Sequence, residues 1–334
     1  MPNPKIVYVV PPETPLDGAI RAEIDALSSA HVEICPLLAT PTDAPSVARE
    51  CERTAEGRMA GRGSLSERLS LLPRALRWKA LKALGVGACI ADTALAAGAT
   101  SIHSHVGAPS LHAGLFAARL AGLPLSVTVH TASAVRWRGS DSLGRVEHVF
   151  AVSRYTARRL EEADIDAKVV YPSPIASPSA NPERRLDRDG SDPVVYIPHI
   201  PPEPRLVVDI VHRTSRAHFW IAGPSAAPLR EMVSRTGCSR RVTFFGRIIP
   251  DEAPLLAASC DVLLMPELPP CTDLPFDVVL AMTAGRPVVA PARRGIPEVV
   301  REHTFREIGG QAIHGALAPL LEDPDLRERA GDRN

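Results

Sequence analysis

The first stretch with a clear pattern is KIVYVV, Lys5 to Val10, where apolar residues run without polar interruption. Short runs that are nearly, not strictly, continuous in apolar residues return at Val32 to Leu37, Ser101 to Val106, Leu125 to His130, His148 to Ser153 and Lys168 to Tyr171. A strand covered on both faces reads this way, whereas a half-exposed strand alternates apolar with polar. Between these runs, Leu16 to Leu27, Leu65 to Ala97, Ser110 to Ala121 and Arg154 to Ala163 have the spacing of helices. Strand and helix in alternation predict a parallel sheet wrapped by helices. From Pro172 to Pro193 the periodicity stops: four prolines up to Pro182 are followed by mixed charge, which predicts a linker. The alternation then resumes. Strands are predicted at Val194 to Ile197, His218 to Ala222, Val242 to Phe245, Val262 to Met265 and Pro287 to Ala290. Helices are predicted at Arg205 to Arg213, Pro228 to Thr236, Glu252 to Ser259 and Phe276 to Ala284. The expectation is two doubly wound α/β domains, 1–172 and 194–334, joined by a linker at 173–193. They would face a cleft at the C-terminal ends of their strands.

Composition narrows the classes. With 334 residues, 45% of them hydrophobic, the chain has enough apolar surface for two cores and is not disordered. Aromatics make up 4% and there are 33 prolines, so the core must be built from Ala, Leu and Val, in short elements. Basic and acidic residues both total 38, which argues against nucleic acid as a partner; an anionic ligand must be met locally. The six cysteines form no CxxC pair and no zinc-type spacing, so the expectation is reduced thiols, no metal and a cytoplasmic location. The short apolar run before Pro11 fits neither a signal peptide nor a membrane span.

Two doubly wound domains suggest a nucleotide ligand, yet the first strand is not followed by GxGxxG. There, Gly18 lies beside Asp17 at a helix start, where a ligand on the acceptor side can approach the backbone, or where the chain simply turns. The most informative segment is Arg241 to Val300. It contains Val242-x-Phe-x-Gly246, Asp261-Val-Leu-Leu-Met-Pro266, Leu274-Pro275, Ala281-Met282-x-Ala-Gly285-x-Pro287 and Gly295-Ile-Pro-Glu298. In this order and spacing the segment resembles the C-terminal domain of the family-4, group 1 glycosyltransferases, which are retaining, nucleotide-sugar-dependent enzymes of the B-type fold. The resemblance covers most of the chain. Ser101 to His130 looks like the histidine-rich strand, helix and VTxH strand of exopolysaccharide-type members, and Trp220 to Pro224, with Gly223, like the second donor-domain strand.

The resemblance implies a nucleotide diphosphate sugar of UDP or GDP type as donor substrate, with no bound cofactor, and a glycan or small-molecule acceptor. It places His130 at the reacting centre, with His105 on the acceptor side. Gly246, Arg247 and Ile248 would lie by the base. Thr272, Asp273, Leu274, Pro275, Phe276 and Leu280 would lie by the sugar and phosphates. A diphosphate calls for amide donors at a helix start, and the stretch from Asp273 to Phe276 is predicted to open a helix with Pro275 at its first position. It also calls for cations, and His199 with Arg205 are the candidates. The chain departs from the family at three places. Thr272 and Leu280 occupy the positions of two glutamates, one by the donor sugar and one on the ribose, and Pro198-His199 stands where the family has Gly-Arg. Asp273 offers a carboxylate nearby, either for sugar hydroxyls or simply as an acid at a helix start.

Several alternatives stay open. His103 and His105 share one face of their strand, as core residues or as metal ligands that lack a third partner. Arg58 to Lys82 is a basic, leucine-bearing stretch, either a solvated helix face or a peripheral contact with anionic lipid at the inner membrane face. Acceptor selection would fall to the loops 38–65 and 131–146. The whole chain is then either a retaining glycosyltransferase or a non-catalytic homologue that keeps the nucleotide-shaped fold for binding or partnership.

Overall fold

A computed structural model describes residues 4–10, 17–38, 74–106, 110–133, 146–172, 186, 192–223, 226–249 and 252–333. By internal contacts the chain divides into two compact units, Met1–Pro15 with Ile24–Tyr171, and Leu16–Glu23 with Pro172–Asn334. The predicted linker lies almost wholly outside the described residues.

The first unit holds a six-stranded sheet in the order β2-β1-β3-β4-β5-β6. Its strands are β1 (Lys5–Val10), β2 (Glu33–Leu38), β3 (Ser101–Val106), β4 (Leu125–Val129), β5 (His148–Ala151) and β6 (Lys168–Val169). Every pairing is parallel. The helices are the later part of α1 (Asp17–Ser29), whose residues up to Glu23 fall in the second unit, with α2 (Arg74–Ala96), α3 (Ser110–Ala121) and α4 (Arg154–Glu161). The core is aliphatic, with Val7, Val9, Ile102, Val127 and Val129 from the sheet set against Ile90, Ala91, Ala113 and Ala117 from α2 and α3. Small residues let these two helices approach each other: a Cβ added at Gly87 would lie 2.6 Å from Cβ of Phe116.

The second unit repeats the design in the order β12-β11-β10-β7-β8-β9, again all parallel. Its strands are β7 (Val194–Ile197), β8 (His218–Ala222), β9 (Val242–Gly246), β10 (Val262–Leu264), β11 (Val288–Pro291) and β12 (Thr304–Phe305). The helices are α5 (Pro204–Arg213), α6 (Ala226–Arg235), α7 (Ala253–Ser259), α8 (Phe276–Thr283), α9 (Ile296–Val299), α10 (Gly310–Glu322) and α11 (Pro324–Asp332). Fully buried Ile197, Phe219, Ile221 and Leu264 meet Val207, Ile210 and Leu317 in its core.

This is the expected α/β class, and most predicted strands agree with the structure to within a residue or two at their ends. The short α9 and β12 were not predicted, nor were the closing helices α10 and α11 drawn from periodicity. The expectation of six reduced thiols is corrected: Cys89 is disulfide-bonded, while Cys35, Cys238, Cys260 and Cys271 are free. Folding can bring cysteines far apart in sequence within bonding distance, so linear spacing carries no signal for such a bond. No described helix is long and apolar enough to cross a membrane. Residues 58–73 of the basic stretch, and most of the two acceptor loops, lie outside the described residues.

Candidate active site

In the second unit the chain runs outward from β7 through β8 to β9, then returns to place β10 on the other side of β7. The loops that leave β7 and β10 therefore part at a topological switch point, where a doubly wound sheet offers its crevice. Buried Pro198 ends β7, and His199 follows in the loop before Pro204 opens α5 as its first residue. After β10, the segment up to Pro275 leads into α8. The two loops meet: His199 Nε2 lies 2.9 Å from Oδ2 of Asp277, in the first turn of α8. Burial by itself would lower the pKa of His199, but the charge of Asp277 and its hydrogen bond outweigh that effect and raise it. The same carboxylate acts on buried Tyr196, whose pKa is raised well above the ordinary value by burial first and by Asp277 second, so its hydroxyl stays neutral.

Pro275 is the N-cap of α8 rather than its first residue, and Phe276 starts the helix. Proline offers no side-chain acceptor, so no side-chain cap bonds the first-turn amides. Asp273 is not the helix-start acid; that acid is Asp277. The Asp273 carboxylate is turned into the protein, 2% exposed and 3.8 Å from Nε of Arg294. Arg294 also donates through Nη1 to the carbonyls of Pro269 and Thr272, at 2.9 and 3.1 Å. The Thr272 hydroxyl donates to the Leu274 carbonyl and accepts from the Leu274 amide. Positions 272–274 thus form a buried strap ahead of α8. Leu280, 4% exposed, fills its position with packing rather than polarity.

Gly246 closes β9 with φ +71, a conformation that costs any other L-residue free energy. Its carbonyl accepts from the Gly223 amide at 2.6 Å, joining the ends of β8 and β9. Arg247 beyond it is exposed and Ile248 half-buried. Arg205 is exposed in the first turn of α5. The second-unit candidates thus lie in loops and helix starts that follow strands at one end of the sheet.

In the first unit His130 stands immediately after β4, 3% exposed, with Nε2 3.0 Å from Nδ1 of His105. One ring donates an N–H and the other accepts, so two neutral imidazoles satisfy the bond. His103 is held by the hydroxyls of Ser126 and Thr128 and stacks on Tyr8, with ring centroids 4.6 Å apart. Burial lowers all three, His130 to about 4 and, with help from the charge of His130, His103 to about 3. His105 is wholly buried, a support for His130 rather than a surface group. Gly18, which falls with the second unit, is the second residue of α1.

Asp277, Tyr196 and Arg294 escaped the sequence reading. A lone acid in the apolar run Phe276 to Met282 was the available signal for Asp277. Nothing local marks Arg294, which reaches back more than twenty residues to act.

Residues 28–173 match the family described as Glycosyltransferase Family 4, and residues 205–323 that described as Glycosyl transferases group 1. The chain belongs to the group 1, family-4 glycosyltransferases. It is 28% identical over 256 residues to a 2-deoxystreptamine glucosyltransferase of Streptomyces kanamyceticus, an alignment covering 64% of this chain and 66% of that relative's length. Solved structures of the glycosyltransferase B-type fold match nearly the whole chain. HepE of Anabaena, in complex with UDP and glucose, superimposes with a TM-score of 0.65 at 15% identity over 98% of this chain and 93% of its own. Sucrose-phosphate synthase from Thermosynechococcus elongatus gives 0.70 at 14% identity, over 99% and 92%. At these identities the likeness speaks for the fold, and the glycosyltransferase B-type architecture is shared.

Proposed function

We propose that the protein transfers a sugar, with retention at the anomeric carbon and without an essential metal, from a nucleotide diphosphate donor to an acceptor hydroxyl. The observation that carries this reading is the meeting of His199 and Asp277 at the switch point, beside a helix start whose amides no side chain caps. The leaving group of such a transfer is a nucleotide diphosphate, and its developing charge is what amides and a cation stabilise. Arg205, in the first turn of the helix that follows His199, supplies a second cation. The glycine conformation at Gly246 lets backbone approach a base. His130, neutral and fixed by His105, would present its ring to the reacting sugar from the acceptor side. UDP is the favoured nucleotide: HepE was solved with UDP and with UDP-glucose. The relative named for 2-deoxystreptamine supports a small-molecule acceptor, with a glycan as the alternative.

Calorimetric titration with UDP, GDP, ADP and their glucose conjugates tests the donor. One nucleotide should bind with a Kd of roughly micromolar order, weakened several-fold by Arg205→Ala. Turnover with an acceptor panel should persist in chelator and give a product with the donor's anomeric configuration by NMR. If none of the nucleotides binds, the transferase reading falls and the non-catalytic homologue takes its place.

A further inference from the structure

A carboxylate in the first turn of a helix takes the positive end of the helix dipole for itself and repels any other anion brought there. Asp277 does this at the very helix start that the donor reading assigns to phosphate, so an unpartnered carboxylate here would weaken donor binding. It has a partner. The carboxylate accepts from Nε2 of His199, and Asp277 is the one hydrogen-bond partner of that ring among the described residues. Asp277 is the more buried of the two, 15% exposed against 29% for His199, so the carboxylate is the fixed end and the imidazole the end that meets solvent or ligand. With Nε2 so engaged, the ring has one further position for a proton, Nδ1.

Resting on the donor reading above, we propose that Asp277 is a positioning residue: it grips Nε2 of His199 so that the N–H at Nδ1 donates to the diphosphate of the nucleotide sugar. The pair carries no net charge when the imidazole is protonated. It then cancels the repulsion that Asp277 alone would exert, and it keeps a directed N–H for the ligand. When the imidazole loses its proton, both advantages are lost together: Nδ1 becomes an acceptor facing phosphate oxygens, and the carboxylate is left uncompensated. Donor affinity therefore depends on the ionisation of one histidine. Asp277 is the charged group acting on that histidine. Tyr196 feels the charge of the same carboxylate but stays neutral, and Glu252 and Cys260 act on Tyr196. Because Asp277 raises the pKa of His199, the favourable state extends to higher pH than a free imidazole allows and is lost as pH rises through the raised value.

The test couples two readouts on the full chain. In ligand-free protein, NMR titration of the His199 ring, assigned with His199→Ala, should give a midpoint above the ordinary histidine value; in Asp277→Asn it should fall below the wild-type midpoint. UDP-glucose and GDP-glucose, whose diphosphates carry no titrating proton in this range, are the probes for binding. Wild-type affinity should weaken about tenfold as pH climbs from roughly 6 to 9, and in Asp277→Asn the weakening should move to lower pH with the NMR midpoint. His199→Arg should bind at all these pH values without the slope, and this variant keeps the test open should Asp277→Asn fold poorly. Binding whose pH profile is unchanged by Asp277→Asn, or retained in full by His199→Ala, overturns this inference and leaves the donor reading standing. If neither probe binds to wild type, both fall.

Discussion

Arg294 shows how one side chain can hold a loop that a ligand would use. Its guanidinium spans the carbonyls of Pro269 and Thr272 and the carboxylate of Asp273, and its own backbone sits at φ +54, outside the conformations a long side chain prefers. Removing the side chain deletes two hydrogen bonds and an ion pair at a largely buried strap. Arg294→Ala should therefore lose about 2 to 3 kcal/mol of stability, read as a lower urea midpoint at unchanged slope. Residue roles were only partly legible in the sequence. The need for glycine at position 246 could be anticipated, since a strand end followed by a ligand loop favours positive φ. The fate of Asp273 could not, because nothing near it in sequence says that an arginine twenty-one residues on will claim it. His199 was marked by its place after a strand, but its dependence on Asp277 is a contact across 78 residues and has no local trace.

At the scale of elements, sequence and structure agree where the code is local. Fully buried strands announce themselves as apolar runs, and Ser153 before α4 is a cap that can be read directly: its hydroxyl accepts from the Thr156 amide at 3.1 Å. Agreement fails for elements too short to have a period, such as α9 and β12. Packing between elements is also hidden, since α2 and α3 approach through small residues whose partners cannot be paired from the sequence. At Gly87 a methyl group would press on both the Phe116 side chain and the Ala113 carbonyl, the latter at 2.9 Å. Because backbone cannot yield as a side-chain tip does, Gly87→Ala should cost about 1 to 3 kcal/mol, despite the better helix propensity of alanine. Thermal unfolding of the variant checks this: a gain in Tm would mean that the helices separate at little cost.

For the molecule as a whole, the three buried histidines set a limit in acid. Each is neutral when folded and takes up a proton more readily when unfolded, so their contribution is complete above the ordinary value of 6.5. It declines as pH falls, through about 4 for His130 and about 3 for His103. Urea unfolding at steps from pH 7 to pH 4 should show a loss on the order of a few kcal/mol, and His130→Gln should flatten part of that slope. The parallel pairing of both sheets has a consequence of another kind, in time. No strand can pair with its neighbour through a hairpin, and β1 must wait for β3: the bonds between Lys5 and Thr100 that seal its start span 95 residues. At a synthesis rate of about 5 to 20 residues per second, that wait is roughly 5 to 20 seconds. Throughout it KIVYVV, a six-residue, β-prone segment with a single charge, has only β2 to pair with and its other edge stays open, so the emerging chain must be kept from pairing that edge with another copy of itself.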